Sequence, residues 1–183
     1  LGNSGTTTYN GNISVVNSGG ASGVSFNVNA SGSSTMDATK AISIGAGGFS
    51  SGTLNIPRFT QLGTAPTTLN LTGTSTTLRV GPLTTFGGNT DLRSAQLFLD
   101  GIDVGGTAYL EKTDAGNNTG SGNNNFSGTT TIVNNGSGVL RTNGNNTLNG
   151  TTTITNNGTA DILLELNSGS TYNGDVTFTN TNS

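Results

Sequence analysis

The sequence predicts an all-β chain wound as a single-stranded parallel β-helix, a β-solenoid with turns of about 22 to 24 residues. Three observations carry this expectation. A short block recurs at that spacing, its apolar and polar residues alternate with period two, and no stretch shows a helical period. The block is clearest in Phe126-Ser127-Gly128-Thr129-Thr130-Thr131-Ile132-Val133-Asn134-Asn135-Gly136 and Leu148-Asn149-Gly150-Thr151-Thr152-Thr153-Ile154-Thr155-Asn156-Asn157-Gly158. It returns as Tyr172-Asn173-Gly174-Asp175-Val176-Thr177-Phe178-Thr179-Asn180 and opens the chain as Tyr9-Asn10-Gly11-Asn12-Ile13-Ser14-Val15-Val16-Asn17.

Within each block the alternation assigns directions. Thr130, Ile132, Thr152, Ile154, Val176 and Phe178 are expected to face inward. Thr129, Thr131, Thr151, Thr153, Asp175 and Thr177 are expected to face solvent. Gly128, Gly150 and Gly174 fall where a corner needs a pliable backbone. Asn17, Asn134, Asn156 and Asn180 end the strand, where Asn suits a turn and can stack into a hydrogen-bonded ladder. A second strand follows in Val139-Leu140-Arg141-Thr142-Asn143 and Leu163-Leu164-Glu165-Leu166-Asn167. Aligning the two on Asn143 and Asn167 places Leu140 over Leu164, Thr142 over Leu166, and Arg141 beside Glu165.

Residues 1–183 read as one solenoid segment of about eight turns. Residues 116–183 are the most regular, and 51–115 are less so. The middle keeps short units such as Leu54/Ile56, Leu69/Leu71, Leu78/Val80 and Leu97/Leu99 at uneven spacing. Asp114 to Asn125 reads as a Gly/Asn/Ser loop with no core-forming residue. The start at Leu1 and the finish inside a repeat suggest a piece of a longer chain.

Composition narrows the function. Hydrophobic residues make up 30% and charged residues 8% of the chain. That suits a solenoid, which buries only a thin apolar column in each turn. The net charge of -3 and the scattered Lys40, Arg58, Arg79, Arg93, Lys112 and Arg141 offer no basic footprint for nucleic acid or anionic lipid. No apolar run approaches the roughly 20 residues of a membrane-spanning helix. Without Cys there is no disulfide or thiolate site, and without His the commonest general base and metal ligand is missing. Gly45-Ala46-Gly47-Gly48 lacks the Lys-Ser/Thr of a phosphate loop and reads as a turn. Triplets such as Asn70-Leu71-Thr72 and Asn145-Asn146-Thr147 are expected by chance in so Asn- and Thr-rich a chain.

The repeated Gly-Thr-Thr-Thr-Ile-x-Asn-Asn-Gly blocks resemble the Thr/Asn/Gly-rich repeats of giant bacterial surface adhesins. These include autotransporter and filamentous-haemagglutinin-type proteins. Closer still are the large adhesins exported by the type IX system of Bacteroidota, some of them used in gliding. The resemblance covers 9–17 and 126–180. It implies a parallel β-helix, an extracellular or cell-surface location, and carbohydrate or protein ligands. It also implies contact with secretion machinery or an outer-membrane anchor through flanking sequence. A non-catalytic structural and adhesive role follows, with no cofactor expected.

Two alternatives stay open. The outward Thr129/Thr131 and Thr151/Thr153 pairs, with Thr177, form a ladder of the type seen on ice-binding solenoids. Asp100 and Asp103, in a Gly-containing turn, are the nearest acids to a Ca²⁺ site or to the carboxylates of a glycan-degrading β-helix.

Overall fold

The computed structural model describes residues 5–27, 29, 31–118, 120, 122–165 and 168–181. Every regular segment among them is a strand, and the pairings are parallel throughout. The first turn holds β1 (Thr6–Tyr9), β2 (Ile13–Asn17) and β3 (Val24–Ser25); the second holds β4 (Ser33–Met36), β5 (Ile42–Phe49) and β6 (Ser51–Ile56). β7 (Phe59–Gln61), β8 (Thr67–Asn70) and β9 (Ser75–Val80) make the third, and β10 (Thr84–Phe86), β11 (Thr90–Ser94) and β12 (Gln96–Leu99) the fourth. Among the described residues the fifth turn has β13 (Ile102–Val104) and β14 (Ala108–Lys112) and no third strand. β15 (Asn125–Phe126), β16 (Thr130–Asn134) and β17 (Leu140–Arg141) form the sixth, followed by β18 (Thr147–Leu148), β19 (Thr152–Asn156) and β20 (Ile162–Leu163) in the seventh. β21 (Thr171–Tyr172) and β22 (Val176–Asn180) begin an eighth.

Like strands stack into three faces. Face A is an eight-stranded sheet ordered β1-β4-β7-β10-β13-β15-β18-β21. Face B is a second eight-stranded sheet ordered β2-β5-β8-β11-β14-β16-β19-β22. Face C is a four-stranded sheet, β3-β6-β9-β12, then a separate pair, β17-β20. The chain is therefore a β-solenoid, with each strand hydrogen-bonded to its counterpart one turn away.

Inward residues form axial columns. On face B one column runs Leu69, Leu92, Leu110, Ile132 and Ile154 to Phe178. Beside it run Thr67, Thr90, Ala108, Thr130, Thr152 and Val176. The buried Thr130 and Thr152 satisfy their hydroxyls by donating to the carbonyls of Gly128 (3.3 Å) and Gly150 (3.4 Å). Phe26, Phe59, Phe86 and Tyr9 meet at centroid distances of 5.7 to 6.2 Å, mostly tilted or edge-on, and fill the wider N-terminal turns.

The expected turn length is kept most evenly toward the C-terminus, and Thr67 to Thr90 (23) and Leu54 to Leu78 (24) also fall within it. Ala108 to Thr130 and Thr130 to Thr152 are steps of 22 residues, and Thr152 to Val176 is 24. Ile13 to Ile42 is 29, whereas Thr90 to Ala108 is 18. The faces keep their register while the corners absorb the difference. Between β11 and β12 the corner shrinks to the single residue Ala95.

Face C corrects the expected register of its last two strands. Leu140 pairs with Ile162 and Arg141 with Leu163, so Leu164 and Glu165 are not their partners. The two extra residues of the seventh turn lie after β20 and not before it, because the side chain of Asn156 holds the preceding corner at the same length as that of Asn134. The expected Thr142–Leu166 pairing falls on a residue outside those described.

Candidate functional site

The B-to-C corner is closed by the last inward side chain of face B. Ser94 donates to the carbonyl of Gln96 (2.7 Å), Asn134 to that of Gly138 (3.2 Å) and Asn156 to that of Ala160 (3.0 Å). Lys112 fills the same place in the fifth turn, fully buried, with its ammonium on the Asp114 carbonyl and 3.0 Å from the Asp114 carboxylate. Asn134 also donates to the Asn156 Oδ1 at 3.3 Å, and Asn180 lies in register over Asn156. The hydrogen bond of the expected ladder runs from Asn134 to Asn156, and Asn180 continues the column in register. Asn17 falls outside it, because a register shift in β2 puts Phe49 opposite; its amide instead donates to Ser22 O (2.7 Å) and Ser51 O (2.8 Å).

Gly128, Gly150 and Gly174 stand at the A-to-B corner for a reason other than the one expected. Their φ angles are not left-handed. A Cβ on Gly150 would lie 2.5 Å from the carbonyl carbon of Gly128, and one on Gly174 equally close to that of Gly150. Close approach of successive turns, not bending, excludes a side chain.

Sequence reasoning missed a buried amide column at the C-to-A corner. Asn124 donates to Asn146 Oδ1 at 2.8 Å, and Asn146 donates to the Thr142 carbonyl (2.8 Å) and the Ser170 hydroxyl (3.2 Å). Asn118, on the face C side of the fifth turn, bonds to the carbonyl of Leu97 below and spans to Arg141 above, whose N–H it accepts at 3.1 Å. The Asp114–Asn125 stretch therefore contributes buried residues after all, in amide form. At the same corner Arg58, Leu83, Gly101, Asn123 and Asn145 all have φ between 50 and 62°. Extending the face A register by one or two residues stacks them in one column.

Outward positions make the candidate site. On face B, Thr131, Thr153 and Thr177 form one column, and Thr129 and Thr151 flank it at the corner, exposed and followed by Asp175. A second column continues through Thr155 and Thr179. Face A carries a longer array. Thr8, Thr35, Thr60, Thr85, Asp103, Asn125, Thr147 and Thr171 are in register across all eight strands. The Thr8 and Thr35 hydroxyls are 3.3 Å apart. Two-residue strands such as β15, β18 and β21 show no alternation, so only the coiling brings this array into view.

The charged residues of face B are spent on one another. Arg93 grips Asp91 with two bonds of 2.7 and 2.8 Å, reaches Glu111 at 3.5 Å, and lies 4.3 Å above the Tyr109 ring. The Tyr109 hydroxyl donates to Glu111 at 3.2 Å, and Asn135 donates to the other Glu111 oxygen at 2.6 Å. Asp91 raises the Arg93 pKa, and burial, with Glu111 second, raises that of the Tyr109 phenol. The cluster ties turns four, five and six together.

Asp100 and Asp103 are not brought together as a metal site. Asp103 belongs to the outward column of face A, whereas Asp100 lies at the end of face C, bridged to Gly122. Asp100 lines a groove of about 280 Å³ with Asn55, Phe98 and Arg79, whose guanidinium sits 4.0 Å over the Phe98 ring. Among the described residues no three His, Cys, Asp or Glu side chains gather as a metal site. No helix is long and apolar enough to cross a membrane. Comparison with family models, with curated proteins and with solved structures finds no match.

Proposed function

We propose that this chain is a non-catalytic structural and adhesive segment of a large bacterial surface repeat protein. Its flat Thr- and Asn-bearing faces contact carbohydrate or protein ligands outside the cell. The observation that carries this reading is the face A array, a column of hydroxyls and amides with one carboxylate, Asp103, eight strands long on a continuous sheet. Turns repeat at about 4.8 Å, so an extended polymer can make many weak, evenly spaced hydrogen bonds. Export would depend on flanking sequence, in keeping with type IX-secreted adhesins, including those used in gliding.

The test is binding of the immobilised chain to panels of polysaccharides and surface proteins. Replacing Thr60, Thr85 and Thr147 with Lys should abolish binding if face A is the contact, and the same change at Thr131, Thr153 and Thr177 should do so if face B is. A chain that binds nothing on either panel sinks the adhesive part of the proposal. The paired columns Thr153/Thr155 and Thr177/Thr179 favour a second reading, ice binding. An ice-recrystallisation assay decides it, with no activity removing it.

A further inference from the structure

Face C differs from face B in how its charges are used. Its outward column runs Asn55, Arg79 and Phe98 in register through β6, β9 and β12. Where this column meets the C-to-A corner lies the groove of about 280 Å³, lined by these three side chains with Pro82, Asp100 and Gly120. Its backbone is held firmly. The Gly81 N–H donates to the Ile56 carbonyl and the Asp100 N–H to the Val80 carbonyl, each at 3.0 Å. A Cβ on Gly81 would strike the Asp100 carbonyl, so the third and fourth turns touch beneath the groove.

On face B, Arg93, Asp91 and Glu111 neutralise one another. Here Arg79 and Asp100 line one groove, yet among the described residues neither side chain has an ion pair or a hydrogen bond. The Asn55 amide is likewise without a hydrogen bond among them. Arg79 is instead laid 4.0 Å over the Phe98 ring. Stacking holds the guanidinium in place and leaves its N–H donors for another molecule. The groove thus offers two kinds of donor, one ionised acceptor and an apolar surface on Phe98 and Pro82, none of them used by the fold.

We infer that this groove is a binding site for one neutral sugar ring. Each sugar hydroxyl both donates and accepts, so a single ring can give protons to Asp100 and take them from Arg79 and Asn55, with its C–H face against Pro82 and Phe98. A charged ligand fits worse, because an anion meets Asp100 and a cation meets Arg79. The volume lies near the lower end of the roughly 300–1,000 Å³ of small-molecule pockets, which suits one ring and not a stretch of polymer. The inference rests on the adhesive reading and adds a selective subsite to it. The face A array offers many equal contacts along a polymer, whereas this groove distinguishes one unit.

Titration of the ¹⁵N-labelled chain with glucose, galactose, mannose, N-acetylglucosamine and glucuronate, followed by amide chemical shifts, tests this. At least one neutral sugar should give saturable shifts centred on Asn55, Arg79, Gly81, Phe98 and Asp100, with a Kd on the order of 1 mM. Arg79→Met keeps the stem over Phe98, and Asp100→Ala removes only the acceptor. Each should keep the thermal midpoint of the unmodified chain and weaken neutral-sugar binding about ten-fold or more, as expected for one lost charge-assisted hydrogen bond. Glucuronate should bind the unmodified chain more weakly than the neutral sugar, and Asp100→Ala should reverse that order. No saturable shift at these residues, binding that survives both substitutions, or an order that Asp100→Ala leaves unchanged overturns the inference. The adhesive reading is judged by retention on immobilised polymers and this site by shifts on face C, so either can fail alone.

Discussion

Replacing Asn134 with Ala removes the most buried member of the B-to-C corner ladder. The side chain is fully buried and serves four groups, the weakest a 3.5 Å bond to the Ala160 carbonyl. It donates to the Gly138 carbonyl at 3.2 Å and to Asn156 Oδ1 at 3.3 Å, and it accepts the Gly136 N–H at 3.3 Å. Truncation strands two buried backbone groups, each costing about 1–3 kcal/mol when left unpaired. The bonds are long, so the lower half of that range applies, and the vacated volume adds a little more. The expected loss is about 2–4 kcal/mol. Asn156, less buried and holding its own corner through one 3.0 Å bond to Ala160, should lose only about 1 kcal/mol on the same change. Urea unfolding followed by circular dichroism gives both values from the midpoint and slope. Solenoids can open turn by turn, so hydrogen exchange should also show faster exchange around 135–138. A loss below about 0.5 kcal/mol for Asn134→Ala, or an equal loss at Asn156, would refute the argument that corner hydrogen bonding under burial sets the effect.

Other expectations follow from the same geometry. Gly150→Ala should destabilise by at least about 1–3 kcal/mol, since the new methyl meets backbone that can yield only by parting two turns; a neutral result by the same unfolding assay would contradict the stacking argument. Leu83 is 73% exposed with φ of 57°, so Leu83→Gly should raise stability by up to about 1 kcal/mol, and a lower melting temperature would count against left-handed strain there. Phe86→Ala should cost about 3–5 kcal/mol and expose amides of the third and fourth turns first, read by hydrogen exchange. The Tyr109 phenol has its pKa raised by burial and Glu111. Folding therefore favours the neutral phenol, and this contribution is complete below about pH 10 and fades as pH rises through the folded value. Phenolate absorbance should show a late-titrating tyrosine that Tyr109→Phe removes.

Much of this fold is written in the longer strands. In five-residue strands such as Thr130–Asn134 and Thr152–Asn156 the residues Thr130, Ile132, Thr152 and Ile154 are buried as the alternation predicts, whereas Val133, at an outward position, is buried as well. Phe178 stands in the same inward column as Ile154. Face C resisted reading because Leu140–Arg141 and Ile162–Leu163 are two residues long, too short for alternation to fix a register. The choice fell instead on where the extra residues of a turn are placed, which corner hydrogen bonds decide. Asn118, Asn124 and Asn146 look like loop residues because their burial depends on partners a whole turn away. The Asp91–Arg93–Glu111 cluster escaped notice since its contacts rest on the short 18-residue step from Thr90 to Ala108. The face A array was hidden likewise, its members being single outward positions scattered among irregular turns.

Among the described residues face C has no strand in the fifth turn, and this has a mechanical consequence. Axial load along faces A and B passes through unbroken ladders of backbone hydrogen bonds, but on face C between Leu97 and Arg141 it passes, among the described residues, through the Asn118 side chain and scattered bonds such as that of the Asn118 N–H to the Val139 carbonyl and of the Asn143 amide to the Gly120 carbonyl. Bending stiffness is therefore uneven around the axis, and the rod yields most easily where that wall is thinnest, hinging on the two intact walls opposite.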